Sequence, residues 1–352
     1  MNVKRIFIVN RFTYICTLAI FMFTLTSPTA FSAEIAKYAG EFMSTGVGAR
    51  ALGMGGAYVA TGGDVTYGYW NPAGLSELNF PELAAMHSER FAGVVNYDYL
   101  AFALPFRQTE TFALSAIRLG VDDIPISAIP RADLQPDEQY EDEQGDLRVN
   151  RPYVDRYVSD AEYAFYFSYA KMLNRTFSYG ANAKFVRKGV GDNSAWGIGF
   201  DIGAIWNPWR QLLVGANFQD ATTTLLAWNT GRKELIAPTL KSGVSYPFSL
   251  PFLQSRLLLA GDADIRFEGR EGAAQLHVGA VSLDFRLGGE ISFYDIVALR
   301  LGRDDLGNFT AGAGIILSRL NIDYAFMQHT DLEDTHRISL RIRLEEKRFE
   351  RK

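Results

Sequence analysis

Cysteine is almost missing from this chain of 352 residues: there is one, Cys16, inside an N-terminal stretch that does not read as part of the fold. Beyond that stretch no thiol remains, which excludes disulfides, thiolate metal sites and a cysteine nucleophile. Histidine is scarce too. His87, His277, His329 and His336 are scattered, with no HExxH or paired spacing, so neither a metal site nor a metal enzyme is expected. After residue 33 no run approaches eighteen consecutive apolar residues, so no helix is expected to cross a membrane. The formal charge of −5 is mild and does not suggest nucleic acid. No cofactor is implied.

The first 33 residues have the order of a secretory signal. Lys4, Arg5 and Arg11 form a basic start, Phe12 to Leu25 is apolar, and Ser27 to Ala33 offers a cleavage region. Cleavage after Ser32 puts Ala30 and Ser32 at the small-residue positions. The alternative, a single N-terminal anchor, asks for the ~20 apolar residues of a spanning helix.

What the chain does have is aromatic residues and glycine: 25 Phe, 17 Tyr and 32 Gly. From about residue 80 onward, roughly ten residues of alternation are followed by a turn signal, again and again. In 176–187, Phe177, Tyr179, Ala181, Ala183 and Phe185 share one face; Ser178, Gly180, Asn182 and Lys184 share the other. At the C-terminus Ile338, Leu340, Ile342 and Leu344 alternate with Arg337, Ser339, Arg341 and Arg343. Period two is strand geometry.

Fourteen strands are predicted, near 80–91, 95–106, 110–121, 161–173, 176–188, 195–207, 211–220, 237–247, 255–267, 282–293, 296–303, 308–317, 320–328 and 335–344. Even-to-odd links are short, and odd-to-even links such as 122–160, 189–194, 221–236 and 268–281 are longer. Short turns at one end and long loops at the other describe an outer-membrane barrel, and the even count puts both chain ends on the short-turn, periplasmic side. The predicted fold class is therefore all-β, a transmembrane antiparallel β-barrel, with 80–344 as barrel and 345–352 as a charged tail.

A soluble sandwich would also alternate. Two features favour lipid. On 195–207, Trp196 and Trp206 share an apolar face and stand about 24 Å apart along the membrane normal at ~45° tilt, the spacing of two aromatic girdles. The opposite faces carry charge in mid-strand: Lys184, Asp201, Asp262, Asp264, Arg286, Glu290, Arg300 and Asp323, with Arg337 and Arg341 as further lumen charges. A dry core would have to pair each one; a wet or salt-bridged lumen accommodates them, and bracing salt bridges are their expected use.

Residues 34–79 behave differently, being dense in glycine and without alternation. Asn71-Pro72 has the form of an N-cap followed by proline in a first helical turn. Gly53, Gly55 and Gly56 do not form a GxGxxG after a strand, and tight turns of a plug explain them better than phosphate binding. The run Gly48-Ala-Arg-Ala-Leu-Gly-Met-Gly-Gly-Ala57, then Asp64, then Tyr69-Trp-Asn-Pro-Ala-Gly-Leu75, closely resembles the opening of the PorV/PorQ family. That family is related to the FadL (OmpP1/TodX) long-chain fatty acid transporters. Segments 320–326 and 335–340 resemble the family's closing strands. The resemblance implies fourteen strands with the N-terminal segment in the lumen as a hatch. It carries over Asn71, Pro72 and Ala73, beside Gly74, as positions that touch ligand or lock the plug.

The loop 122–160 is acidic, with nine acids against four arginines from Arg131 to Asp160. It reads as a lid, a docking site for secretion-system proteins or a cation bridge to lipid, against a plain solvated loop. Ser339, His336 and Asp334 do not suggest a triad, and no enzyme is expected. Three functions follow: passage of a hydrophobic small molecule through a plugged lumen; a PorV-like accessory role in type IX secretion or surface attachment; or a passive structural barrel.

Overall fold

In the computed structural model, residues 34–35, 39–91, 93–267, 274–329, 334–346 and 350 are described, and the chain from Ile35 onward is one compact unit. The signal region 1–33 and much of the tail lie outside the described residues. Fourteen antiparallel strands close a barrel. They are β1 (Glu82–Arg90), β2 (Val95–Phe106), β3 (Glu110–Ala128), β4 (Tyr153–Asn174), β5 (Phe177–Val190), β6 (Asn193–Trp209) and β7 (Leu212–Gln219). The second half comprises β8 (Thr239–Leu250), β9 (Ser255–Arg266), β10 (Val281–Phe293), β11 (Val297–Arg303), β12 (Phe309–Ile316), β13 (Leu320–Met327) and β14 (Thr335–Arg343). Each strand pairs with its sequence neighbours. β14 closes on β1, from Glu82 opposite Arg343 to Glu89 opposite His336, so the barrel has no free edge.

The alternation read from sequence becomes an inside and an outside. On β5 every second residue from Phe177 to Arg187 faces out, while Ser178, Gly180, Asn182, Lys184 and Val186 are buried. Large apolar side chains stay exposed in mid-strand on the outer face, among them Leu100 at 55 %, Phe167 at 53 %, Ile198 at 58 % and Ile202 at 60 %. Water would penalise each at about 25 cal/mol per Å². Such a belt suits a hydrocarbon surround.

Two strands are longer than expected. β3 extends seven residues past the predicted end at 121, and β4 starts eight residues before 161, so the loop proper is 129–152 rather than 122–160. At ~3.3 Å per residue and ~45° tilt, the 22 residues of β4 rise about 51 Å, well beyond a ~30 Å hydrocarbon layer. Its first residues, 153–157, are exposed on both faces, and strict alternation begins at 164. Polar side chains on both faces of 153–160 hid this extension, because period two fades where neither side is buried. Residues 189–194, predicted as a longer loop, are a two-residue turn at Gly191-Asp192 joining Val190 to its partner Asn193. The glycines and charges there were punctuation of a tight turn, helped by Gly191 at φ 55°.

β7 is interrupted by Asp220–Thr223 and resumes as a short strand, Thr224–Trp228, which pairs with β6 and with Lys233–Ile236. The link predicted as a loop is thus mostly a hairpin continuing the wall.

Candidate functional site: the inner segment and its seat

Residues 39–78 fill the barrel interior. The segment is made of short pieces: α1 (Glu41–Ser44), α2 (Ala49–Gly53), α3 (Tyr67–Trp70) and a 3-10 helix, Pro72–Glu77. None is long enough to be stable alone; their order comes from packing against each other and the wall. Tyr58, Tyr67, Tyr69 and Trp70 form an aromatic cluster, with Tyr69 edge-on to Trp70 at 4.9 Å between ring centres. The Trp70 indole donates to Val47 O at 2.9 Å, and the Tyr67 hydroxyl donates to Tyr58 O at 2.6 Å.

Asn71 joins this segment to the wall. Its side chain accepts from Ala73 N at 3.2 Å, capping the 3-10 turn that Pro72 opens. Its amide donates to Val59 O at 2.9 Å and to Ala204 O of β6 at 3.1 Å. Such closeness requires glycine on the wall. A methyl group on Gly203 would collide with Asn71 Oδ1, and one on Gly180 with the Pro72 carbonyl and Ala73 N. The buried Ala73 therefore lies against β5, and Gly74 makes room for the Tyr67 ring. Across the lumen, Gly288 and Gly302 receive the Met54 and Gly55 backbone in the same manner. Gly53 packs on Gly312, Gly55 turns at φ 66° against Arg303, and Gly56 lies beside the Arg286 side chain.

The remaining seats are polar. Ala49 N donates to Ser339 Oγ of β14 at 3.1 Å, and Tyr58 N and Val59 N donate to Asp262 Oδ2 of β9 at 2.6 and 2.9 Å. Ser245 donates to Ala60 O, Asn217 to Trp70 O and Asn182 to Gly68 O. These contacts come from strands all around the barrel.

A chain of alternating charges crosses the interior. Asp323 pairs with Arg300 at 2.8 Å, and Arg300 with Glu290 at 2.6 Å. Glu290 also accepts both forks of Arg50 at 2.9 and 2.7 Å, Arg50 reaches Asp64 at 3.5 Å, and Asp64 pairs with Arg341 at 3.0 Å. Three acids and three arginines balance, and the two from the inner segment, Arg50 and Asp64, lie between charges of the wall. Burial would lift the Asp64 carboxyl, but Arg341 and Arg50, with hydrogen bonds from Thr66 and Tyr58, hold it below the usual carboxylate range. Glu77 lacks such partners among the described residues, and burial pushes it up to about 7.

Of the remaining lumen charges, Lys184 bridges Asp201 at 2.8 Å and Asp220 at 2.7 Å, and Arg286 holds Asp264 at 2.6 Å. Arg337 differs: it is 2 % exposed, and its Nε and Nη1 have no hydrogen-bond partner among the described residues. Trp196 and Trp206 both lie on the outer face, at 45 % and 51 % exposure. Ser339 points inward while His336 points outward beside the Tyr324 hydroxyl, so they do not meet. Among the described residues no cluster could hold a metal ion.

Sequence reasoning missed Arg50 and Asp262 as anchors. The signal for Arg50 was available, since a lone charge in a segment of glycine and alanine must find a carboxylate. Asp262 takes backbone donors, and no pattern in the strand foretells that.

No protein-family model matches the chain, and no curated protein matches it. Solved structures do. The Ralstonia pickettii toluene transporter TbuX aligns with TM-score 0.54 at 14 % identity, over 85 % of this chain and 98 % of that one. The monoaromatic hydrocarbon channel CymD aligns with TM-score 0.54 at 15 % identity, over 86 % and 98 %. A Pseudomonas aeruginosa FadL homologue gives TM-score 0.49 at 13 % identity, over 82 % and 95 %. At these identities the likeness is one of fold, shared with TbuX and CymD.

Proposed function

We propose that this protein is an outer-membrane channel that passes a hydrophobic small molecule, with residues 39–78 as its hatch and the short-turn end facing the periplasm. The observation that carries the reading is that a segment of the protein's own chain closes the lumen of a fourteen-strand barrel. It is held by hydrogen bonds and ion pairs, which can be exchanged for water. The fold likeness to TbuX and CymD supports passage of an apolar molecule.

The test uses the absence of cysteine beyond residue 16. Ala49 N of the inner segment lies 3.1 Å from Ser339 Oγ of β14, which brings these two side chains within reach of a thiol cross-link. The pair Ala49→Cys and Ser339→Cys should cross-link hatch to wall. In vesicles, uptake of labelled toluene and of a labelled long-chain fatty acid should fall when the pair is oxidised and recover on reduction. Saturable uptake that ignores the cross-link would rule out a moving hatch; no uptake of either by the unmodified protein would rule out the transport reading.

A second reading is an accessory role that binds a protein partner, for which the extended β3 and β4 would offer the exposed Tyr153 and Tyr157. Such aromatic rungs suit a protein partner. Pull-down of the tagged protein from its own membranes discriminates, and recovery of no secretion component or cargo counts against it.

A further inference from the structure

At the long-loop end of the lumen, above the inner segment, lies a pocket of about 170 Å³. Thr45, Leu52, Trp70, Arg90, Met327 and Arg337 are among its walls. Its charge is unbalanced in a particular way. Of its four arginines, Arg286 is taken by Asp264 at 2.6 Å and Asp305 at 2.9 Å, and Arg266 by Asp264, Asp284 and Asp305 at 3.5–3.7 Å. Arg337 and Arg90 have no carboxylate within ion-pair distance among the described residues. Arg337 Nε, Arg337 Nη1 and Arg90 Nε are buried without acceptors, and Arg90 has only a 3.5 Å contact to Thr45 Oγ1.

The acids of the pocket do not remedy this. Asp305 is committed to Arg286 and Arg266. Asp304 turns its oxygens to Leu306 N, Asn308 N and Asn308 Nδ2 at 3.0, 2.7 and 3.0 Å, closing its own loop. Glu41, on α1, forms no ion pair with Arg90 among the described residues. A guanidinium has a planar fork of donors suited to an oxyanion, and burying one without a counter-charge is costly. Among the described residues no other lumen arginine is left in that condition: Arg50, Arg266, Arg286, Arg300 and Arg341 each face a carboxylate.

We propose that this pocket binds a compact oxyanion, a carboxylate or phosphate group on a small body, between Arg337 and Arg90. Trp70, Leu52 and Met327 give an apolar wall for that body, and the volume limits it to about the size of a single aromatic ring with its acid group. The site does not depend on the transport reading, since it is defined by two unanswered charges rather than by a path.

Calorimetric titration of the full-length barrel in neutral detergent, at constant ionic strength in chloride, tests the idea with benzoate, inorganic phosphate and uncharged benzyl alcohol. At least one anion should bind saturably and benzyl alcohol should not; which anion binds separates carboxylate from phosphate. Arg337→Gln should weaken binding about tenfold or more, the loss expected for a charge-assisted hydrogen bond. Arg90→Gln, altering the less buried member, should weaken it about threefold or more and serves as the decisive variant should Arg337→Gln not fold. A wild-type protein that binds neither anion, or an affinity unchanged in either folded variant, overturns the proposal.

Discussion

Single atoms decide whether the inner segment fits its seat. Gly203 faces Asn71 so closely that any side chain displaces the Asn71–Pro72 turn. Gly203→Val should leave the outer wall intact and raise ion conductance in planar bilayers, because the turn can no longer seat; unchanged conductance would mean the turn is not what seals the lumen. Glu290 bridges Arg50 and Arg300, so Glu290→Ala leaves one buried and one half-buried guanidinium short of a partner. A loss of about 3–5 kcal/mol is expected, read from urea unfolding in detergent or bilayer. Glu77 gives a pH effect of the opposite kind. Burial raises its folded value to about 7, above the ordinary ~4.3, so the folded state holds the proton more tightly. Its contribution is full below pH ~4 and is lost as the pH rises through 7. The melting temperature of wild type relative to Glu77→Gln should therefore fall between pH 5 and pH 7.5, and parallel curves would contradict the assignment.

At the level of elements, strands were legible where one face is buried and the other is not. Ile338, Leu340 and Ile342 against Arg337, Ser339 and Arg341 specify β14 because lipid and lumen demand opposite side chains. The same logic fails where both faces meet water, and so 153–160 looked like loop although it is paired strand. The inner segment was legible as irregular and glycine-rich, and the cap at Asn71 was readable from the Asn-Pro pair. Its anchors were not, because Arg50 finds Glu290 across 240 positions, a distance no local pattern spans. The hairpin of β3 and β4 also makes a prediction at this scale. Loop 129–152 carries Arg131, Arg148 and Arg151 on its exposed surface, paired only with exposed or loop-borne acids. Trypsin should cut there in the folded protein, and the nicked barrel should melt within a degree or two of the intact one, since no barrel contact is removed.

Considered whole, the molecule is a wall whose interior is not its own. Small inward residues of β5, β6, β10, β11 and β12 leave room for a body that the first part of the chain supplies. The contacts of that body end on β14, where Ser339 receives Ala49 N and Arg341 meets Asp64. Separation along the chain sets a constraint here. The inner segment near the start of the chain cannot complete its bonds until the strand near its end is in place. A barrel arrested before β14 would carry Asp64 in its interior with Arg50 alone and an unanswered amide at Ala49. Only a cylinder already shut at its β14–β1 seam gives residues 39–78 a complete set of partners, so seating of the inner segment and closure of the seam stabilise one another.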